Sequence, residues 1–213
     1  MLALTPLLRT TRIVTRTLFR RNLSTTSSTN SPSVQPRVVD QPQAQDDDDE
    51  IALANAQYAG RVAIHRVDDT VGWGLHVLRD YRQGECVMQA RALRTLDTPT
   101  SHSIQIDWHR HVEMDLPARL VNHKCHYSAN LGVQDNDLGA YDFIALRDIT
   151  KGESLSWDYL DAEYDMSTPF ACACGNAQCR GMVRGWKHAP QDNEPPKDAR
   201  YLPKYRQTKE PSA

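Results

Sequence analysis

Four cysteines constrain this chain of 213 residues more tightly than anything else in it. Cys172, Cys174 and Cys179 fall in the run Phe-Ala-Cys-Ala-Cys-Gly-Asn-Ala-Gln-Cys-Arg-Gly, and Cys125 closes Asn-His-Lys-Cys, two residues after His123. A Cys-x-Cys-x4-Cys knot turning on Gly175 presents three thiolates from one loop, but tetrahedral zinc takes four ligands. Cys125 is the candidate for the fourth. The metal would then stitch the C-terminal segment onto the neighbourhood of Asn122 and His123, which makes that neighbourhood the place to look for chemistry. The cysteines number five, an odd count, with four at metal-like spacing, so a structural zinc site in a reducing compartment is favoured over a disulfide framework. Cys86, in Gly-Glu-Cys-Val-Met, reads as a small buried apolar side chain.

Charge is spread unevenly. Residues 1–39 hold six arginines (Arg9, Arg12, Arg16, Arg20, Arg21, Arg37) and no acid, leaving 19 basic against 27 acidic residues in the rest, a balance near −8. Such a body binds phosphate backbones poorly and suits a basic partner, so no direct nucleic-acid contact is expected. The first thirty residues interleave arginines with Leu7, Leu8, Ile13, Val14, Leu18 and Phe19 and run into Ser24–Ser28. That is the composition of an organelle transit peptide, with Arg20-Arg21-Asn22-Leu23-Ser24 like a processing step. The expected address is a mitochondrial or plastid matrix; a basic tail with no address, on a nuclear or cytoplasmic protein, is the alternative. No stretch approaches the roughly 20 apolar residues of a membrane span.

The expected organisation is a disordered transit peptide over 1–34, an acidic and proline-rich linker over 35–51 ending in Asp46 to Glu50, a folded body over 52–188, and a flexible, proline-rich tail over 189–213. Within the body the pattern is mainly β with short helices. Ile104, Ile106 and Trp108 alternate with polar neighbours, as do Leu155, Trp157 and Tyr159, the period of half-buried strands. Short helices are expected around Ile51–Tyr58 and Asp115–Val121. Leu78-Arg79-Asp80-x3-Gly84-Glu85 is echoed by Leu146-Arg147-Asp148-x3-Gly152-Glu153, two turns closed by glycine.

Three further features carry chemistry. Gly72-Trp73-Gly74 lets the backbone approach a ligand beside an indole. Asn122-His123 precedes a metal ligand, which would hold that polar pair rigidly, while His123 could equally be a ligand or a satisfied core residue. Trp157 and Tyr159 share one strand face, an arrangement that also suits core packing.

Taken in order, Gly72-Trp73-Gly74-Leu75, Arg119-Leu120-Val121-Asn122-His123-Lys124-Cys125, Gly152 to Tyr159 and the Cys172 to Gly181 run resemble a SET domain followed by a post-SET segment, covering about 60–186. The resemblance implies a SET-domain (β-clip) fold of small curved sheets with a threaded loop over 52–167 and a zinc-bound segment over 168–188. It implies an S-adenosylmethionine-dependent methyltransferase acting on the ε-amine of a lysine in a protein or peptide. By the same resemblance Gly72, Trp73, Gly74, Asn122 and His123 bind the cofactor, and Tyr159 with Trp157 forms the catalytic pair. Cys125, Cys172, Cys174 and Cys179 hold structural Zn2+. Three positions depart from the family pattern: Lys124 stands where serine is usual, Asn130 comes two residues late, and Trp157 replaces phenylalanine or tyrosine. The altered loop motivates a second reading, a degenerate SET module acting as a zinc-stabilised scaffold. A chromatin enzyme acting on histone is a third.

Overall fold

Short alternating runs broken by turn residues cannot build one large sheet, and the chain closes instead into several small ladders. The computed structural model describes residues 44–68, 71–189 and 198–209. The transit peptide expected over 1–34 lies outside the described residues.

Helix α1 (Ala44–Gln57) begins inside the segment expected to be linker. Its sequence is rich in good helix formers, and acids early in a helix favour it through the macrodipole. Ile51, Ala54 and Tyr58 turn one face to the core. Asn55 Oδ1 accepts the Ile64 N–H at 2.7 Å, fixing the helix to the first strand.

β1 (Val62–Asp68) and β2 (Gly72–Val77) pair antiparallel, with Val62 opposite Val77 and Ile64 opposite Leu75, all four buried. After β3 (Cys86–Gln89), β4 (Ala92–Leu96), β5 (Ser103–Asp107) and β6 (Arg110–Met114) make a separate three-stranded sheet in the order β4-β6-β5. Ile104 is buried on β5 as the alternation requires, whereas Trp108 falls in the turn after it. The helix expected near Asp115–Val121 is a 3₁₀ turn over Ala118–Leu120, where Arg119 binds Glu113 at 3.0 Å and Glu50 at 2.7 Å.

The largest sheet decides where the chemistry sits. β7 (Asn122–His123), β8 (Leu131–Asp135), β9 (Tyr141–Ala145) and β10 (Ser156–Trp157) join β3 in the order β3-β9-β8-β10-β7. β10 therefore lies between β7 and β8, parallel to both, threaded between the two ends of the loop that joins them. Asn130 pins that arrangement: its side chain accepts the Ser156 N–H at 2.9 Å and donates to the Ser154 carbonyl at 2.9 Å. The late asparagine thus still closes the altered Lys124 to Asn130 loop. Val87, Met88, Leu131, Val133, Tyr141 and Phe143 on the strands of this sheet have no measurable exposure. Each such side chain contributes about 1.5–3 kcal/mol by leaving water.

The two echoed turns are partners. Tyr81 and Ile149 exchange backbone hydrogen bonds at 2.9 Å, Lys151 N–H donates to Asp80 at 2.7 Å, and Gln83 N–H donates to Asp148 at 2.9 Å. Equivalent residues serve each other across a local two-fold, so what reads as two ordinary turns is one clasp.

After β11 (Phe170–Ala171) and β12 (Met182–Val183), the described part of the expected flexible tail packs on the body. Tyr205 is buried with its hydroxyl on the Ala162 carbonyl, and Arg206 donates to the Asp161 and Leu160 carbonyls at 3.3 and 3.2 Å while lying 4.1 Å over Trp186. The described part of the tail forms two 3₁₀ turns, Ala199–Tyr201 and Lys204–Gln207, and Tyr205 and Arg206 hold the second against the body. Among the described residues no helix is long and apolar enough to cross a membrane.

Candidate functional site

The cysteine knot assembles as its spacing requires. Gly175, at φ 73°, supplies the left-handed turn that brings the loop back on itself. Cys125 Sγ lies 3.7 Å from Cys172 Sγ and 4.0 Å from Cys179 Sγ, and the four sulfurs with Cys174 lie within 4.8 Å of one another. Sulfurs bound tetrahedrally to one zinc at about 2.3 Å stand about 3.8 Å apart, so these four fit a closed structural site. Cys86 is outside this group; burial pushes its thiol up, and it is no metal ligand.

Joining Cys125 to the tail places the tail against β7 and β10. Arg180 completes that contact with a two-toothed ion pair to Asp158, at 2.8 and 3.0 Å, with both side chains nearly sequestered. Planar pairs of this kind fix orientation as well as charge. His123 Nδ1 also approaches Asp158, at 3.8 Å, but it accepts the Tyr159 N–H at 3.2 Å. An acceptor nitrogen carries no proton, so we read this as a hydrogen bond that sets the ring and not as an ion pair.

A cavity of about 900 Å³ opens between these pieces. On one side stand Gly72, Trp73 and Gly74 of β2 with Asn122 and His123 of β7. A side chain at Gly74 would put its Cβ 2.7 Å from Val67 Cγ2 and 2.9 Å from Asn122 Nδ2, and Asn122 Nδ2 in turn donates to the Trp73 carbonyl at 2.9 Å. At Gly74 no side chain fits, whereas at Gly72 the space is open and the φ of 80° is what favours glycine.

Tyr159 and Trp157 also face the cavity, their rings 5.0 Å apart, with Phe170 of the tail 6.0 Å from Tyr159. The Tyr159 hydroxyl donates to the Val121 carbonyl at 2.9 Å. Burial, and after it the nearby Glu163, pushes that phenol far above its ordinary range, so it stays protonated. Every residue expected at the cofactor, catalytic and metal positions is therefore gathered around one cavity or the cluster that borders it.

The remaining wall is not foreshadowed by any motif. Ser103, Ile104, His111, Met114 and Glu163 line it. Glu163 follows Tyr159 by one turn, its N–H donating to the Tyr159 carbonyl at 2.8 Å, and its Oε1 accepts the Gln105 N–H at 2.9 Å. Tyr141 Oη donates to the Gln105 carbonyl at 2.5 Å. Together these bonds dock the free side of β5 on the body. Neither Glu163 nor Arg180 could be ranked from sequence: an acid or arginine gains its meaning from what it is folded against.

Residues 72–160 match the SET domain family, and this stretch of the chain is a SET domain. Histone-lysine N-methyltransferase SUVR4 of Arabidopsis thaliana is 25% identical over 157 residues, covering 56% of this chain and 32% of the relative. Methyltransferase flvH of Aspergillus flavus is 31% identical over 78 residues, covering 35% of this chain and 41% of the relative. The chain thus spans less than half the length of the curated relatives it matches. Among solved structures, KRYPTONITE in complex with mCHG DNA and SAH matches with TM-score 0.45 and 23% identity, over 57% of this chain and 28% of that one. The methyltransferase domain of human histone-lysine N-methyltransferase SETMAR matches with TM-score 0.45 and 18% identity, over 58% of each.

Proposed function

We propose that this chain is an S-adenosylmethionine-dependent methyltransferase that modifies the ε-amine of a lysine in a protein. The observation that carries the proposal is the Tyr159 phenol, held on the Val121 carbonyl in the cavity that Gly72, Gly74 and Asn122 border. The glycine-lined wall and Asn122 suit the amino-acid end of the cofactor, since Gly72 and Gly74 put no side chain into the cavity that the Asn122 amide borders. When bound, the cofactor supplies an electrophilic methyl group on sulfur.

What the chain's own residues do follows from their positions. Trp157, Tyr159 and Phe170 form an aromatic, water-poor throat that disfavours an ammonium relative to the neutral amine, lowering the lysine pKa from about 10.4. A protonated phenol is no base, so Tyr159 orients the amine lone pair and offers its oxygen to developing charge, a contribution of positioning and electrostatics. The indole of Trp157 narrows the throat and favours few methyl additions. The zinc cluster and the Arg180–Asp158 pair hold the Phe170 side of that throat in place.

The organelle address rests on the arginine-rich, acid-free residues 1–39, and imaging of a tagged full chain checks it; purely nuclear signal overturns it. Activity and target are tested together by incubating the purified chain with labelled cofactor and a cell lysate, followed by mass spectrometry of modified peptides. Cofactor binding by calorimetry separates an enzyme from a scaffold, and absence of binding removes the proposal.

A further inference from the structure

Glu163 is poorly explained by its structural role alone. Its Oε1 accepts one backbone N–H, a task a glutamine oxygen performs equally well, and among the described residues Oε2 has no protein partner. The side chain is more than nine-tenths buried, yet it lines the cavity. A carboxylate placed so is costly unless a cation comes to it.

Among the described residues no protein cation does. Around Glu163 stand Tyr159, Tyr141 of β9 and Tyr205 of the C-terminal segment, phenols that burial keeps neutral, and His111 on the neighbouring β6, where burial likewise disfavours the charge. Arg206, the nearby guanidinium, is spent on the carbonyls of Leu160 and Asp161. Glu163 lines the cavity together with Ser103 and Ile104 of β5 and His111 and Met114 of β6, and its bond to Gln105 ties it to β5.

We propose that Glu163 selects the substrate of this pocket: its Oε2 receives the acceptor group as a cationic amine, so that hydroxyl and thiol acceptors are excluded. The inference rests on the methyltransferase reading and assigns the residue that receives its amine. The carboxyl also serves the next step. The amine's N–H bond breaks, the Oε2–H bond forms, and the nitrogen keeps the electron pair it needs to attack. Burial raises Glu163 to about 7, so it holds either protonation state near neutrality.

The test uses the full chain and n-butylammonium, a mimic of the lysine end, with potassium chloride and n-butanol as controls. Affinity is read by thermal shift against concentration at pH 6 and pH 8, without any turnover. The wild type is expected to bind n-butylammonium about tenfold more tightly at pH 8, because the ionised fraction of Glu163 rises about tenfold across that range. Glu163→Gln keeps the bond to Gln105 and should bind at least tenfold more weakly at pH 8, with no pH dependence, while Glu163→Asp should retain part of the effect. Equal binding by wild type and Glu163→Gln, or equal stabilisation by n-butanol, overturns the proposal. A chain that binds n-butylammonium through Glu163 but neither binds nor turns over labelled S-adenosylmethionine keeps Glu163 as the group that receives a cationic amine, and removes the methyltransferase reading and the proton transfer that depends on it.

Discussion

The two walls of the cavity are built on opposite principles. The wall of Gly72–Gly74, Asn122 and His123 is set by local fit: space at Gly74 is full, Gly72 has a positive φ, and Asn122 is tied to the Trp73 carbonyl. The wall of β5, β6 and Glu163 is made of ordinary residues whose meaning comes from burial. A carboxylate there has one backbone hydrogen bond and, among the described residues, no cation. The first wall is shaped for fit, and changing it should hurt function more than stability. The second stores a charge that the fold would be more stable without, a common arrangement at functional sites.

The comparison breaks most violently if the tail that borders both walls is released. Cys172→Ser, or stripping the metal with a chelator, should abolish methyl transfer and free the 168–188 segment to proteolysis, since structural zinc contributes on the order of 10 kcal/mol or more to small sites. Retained turnover after complete zinc loss, measured by metal analysis, would separate the cluster from the cavity. Next in size, Tyr159→Phe removes a hydroxyl that only the reaction and the Val121 carbonyl use. Turnover should fall by about 10²–10³-fold with zinc content and cofactor binding unchanged.

A smaller effect should come from the glycine wall. Gly74→Ala forces a Cβ against Val67 and Asn122, and overpacking of this kind costs about 1–3 kcal/mol. The loss should appear mainly as weaker cofactor binding in calorimetry, and an unchanged Kd would remove Gly74 from that wall's role.

Across the cavity the sign reverses. The folded state raises Glu163 from 4.5 to about 7, so folded protein holds a proton that unfolded protein has lost. Its stabilising contribution is complete below about pH 4.5 and disappears as pH rises through about 7. Glu163→Gln has nothing to lose. Urea titrations should show the variant gaining on the wild type between pH 5 and 8, by at most roughly 3 kcal/mol. A variant less stable than wild type at pH 8 would mean that the charge is satisfied after all.

Much of this was legible before folding. Four cysteines forecast a metal cluster, and the order of the Gly-Trp-Gly, Asn-His and Trp-Asp-Tyr motifs forecast which segments would meet. Local chemistry made that possible: thiolates need a set geometry, and close backbone approach needs glycine. The alternation around Ile104 marked a strand, but that around Leu155 overreached: only Ser156–Trp157 is strand, Tyr159 opens a 3₁₀ turn over Tyr159–Asp161, and Ser156 and Asp158 are as buried as Leu155 and Trp157. The acidic segment before Ile51 and the proline-rich end misled, because composition reports intrinsic preference and not what a helix or an anchoring side chain such as Tyr205 can dock against.

What tertiary structure alone decided is a matter of partners. The echo of two turns became a reciprocal clasp only when Asp80 and Asp148 reached across to each other's turns. Asn130 proved to lock the threaded strand although its spacing had shifted. Glu163 acquired a consequence from a neighbourhood assembled out of Gln105, Tyr141 and Tyr205, residues 58, 22 and 42 positions away along the chain. Sequence fixes which groups are available, whereas desolvation, which sets the behaviour of a buried charge, depends on everything folded around it.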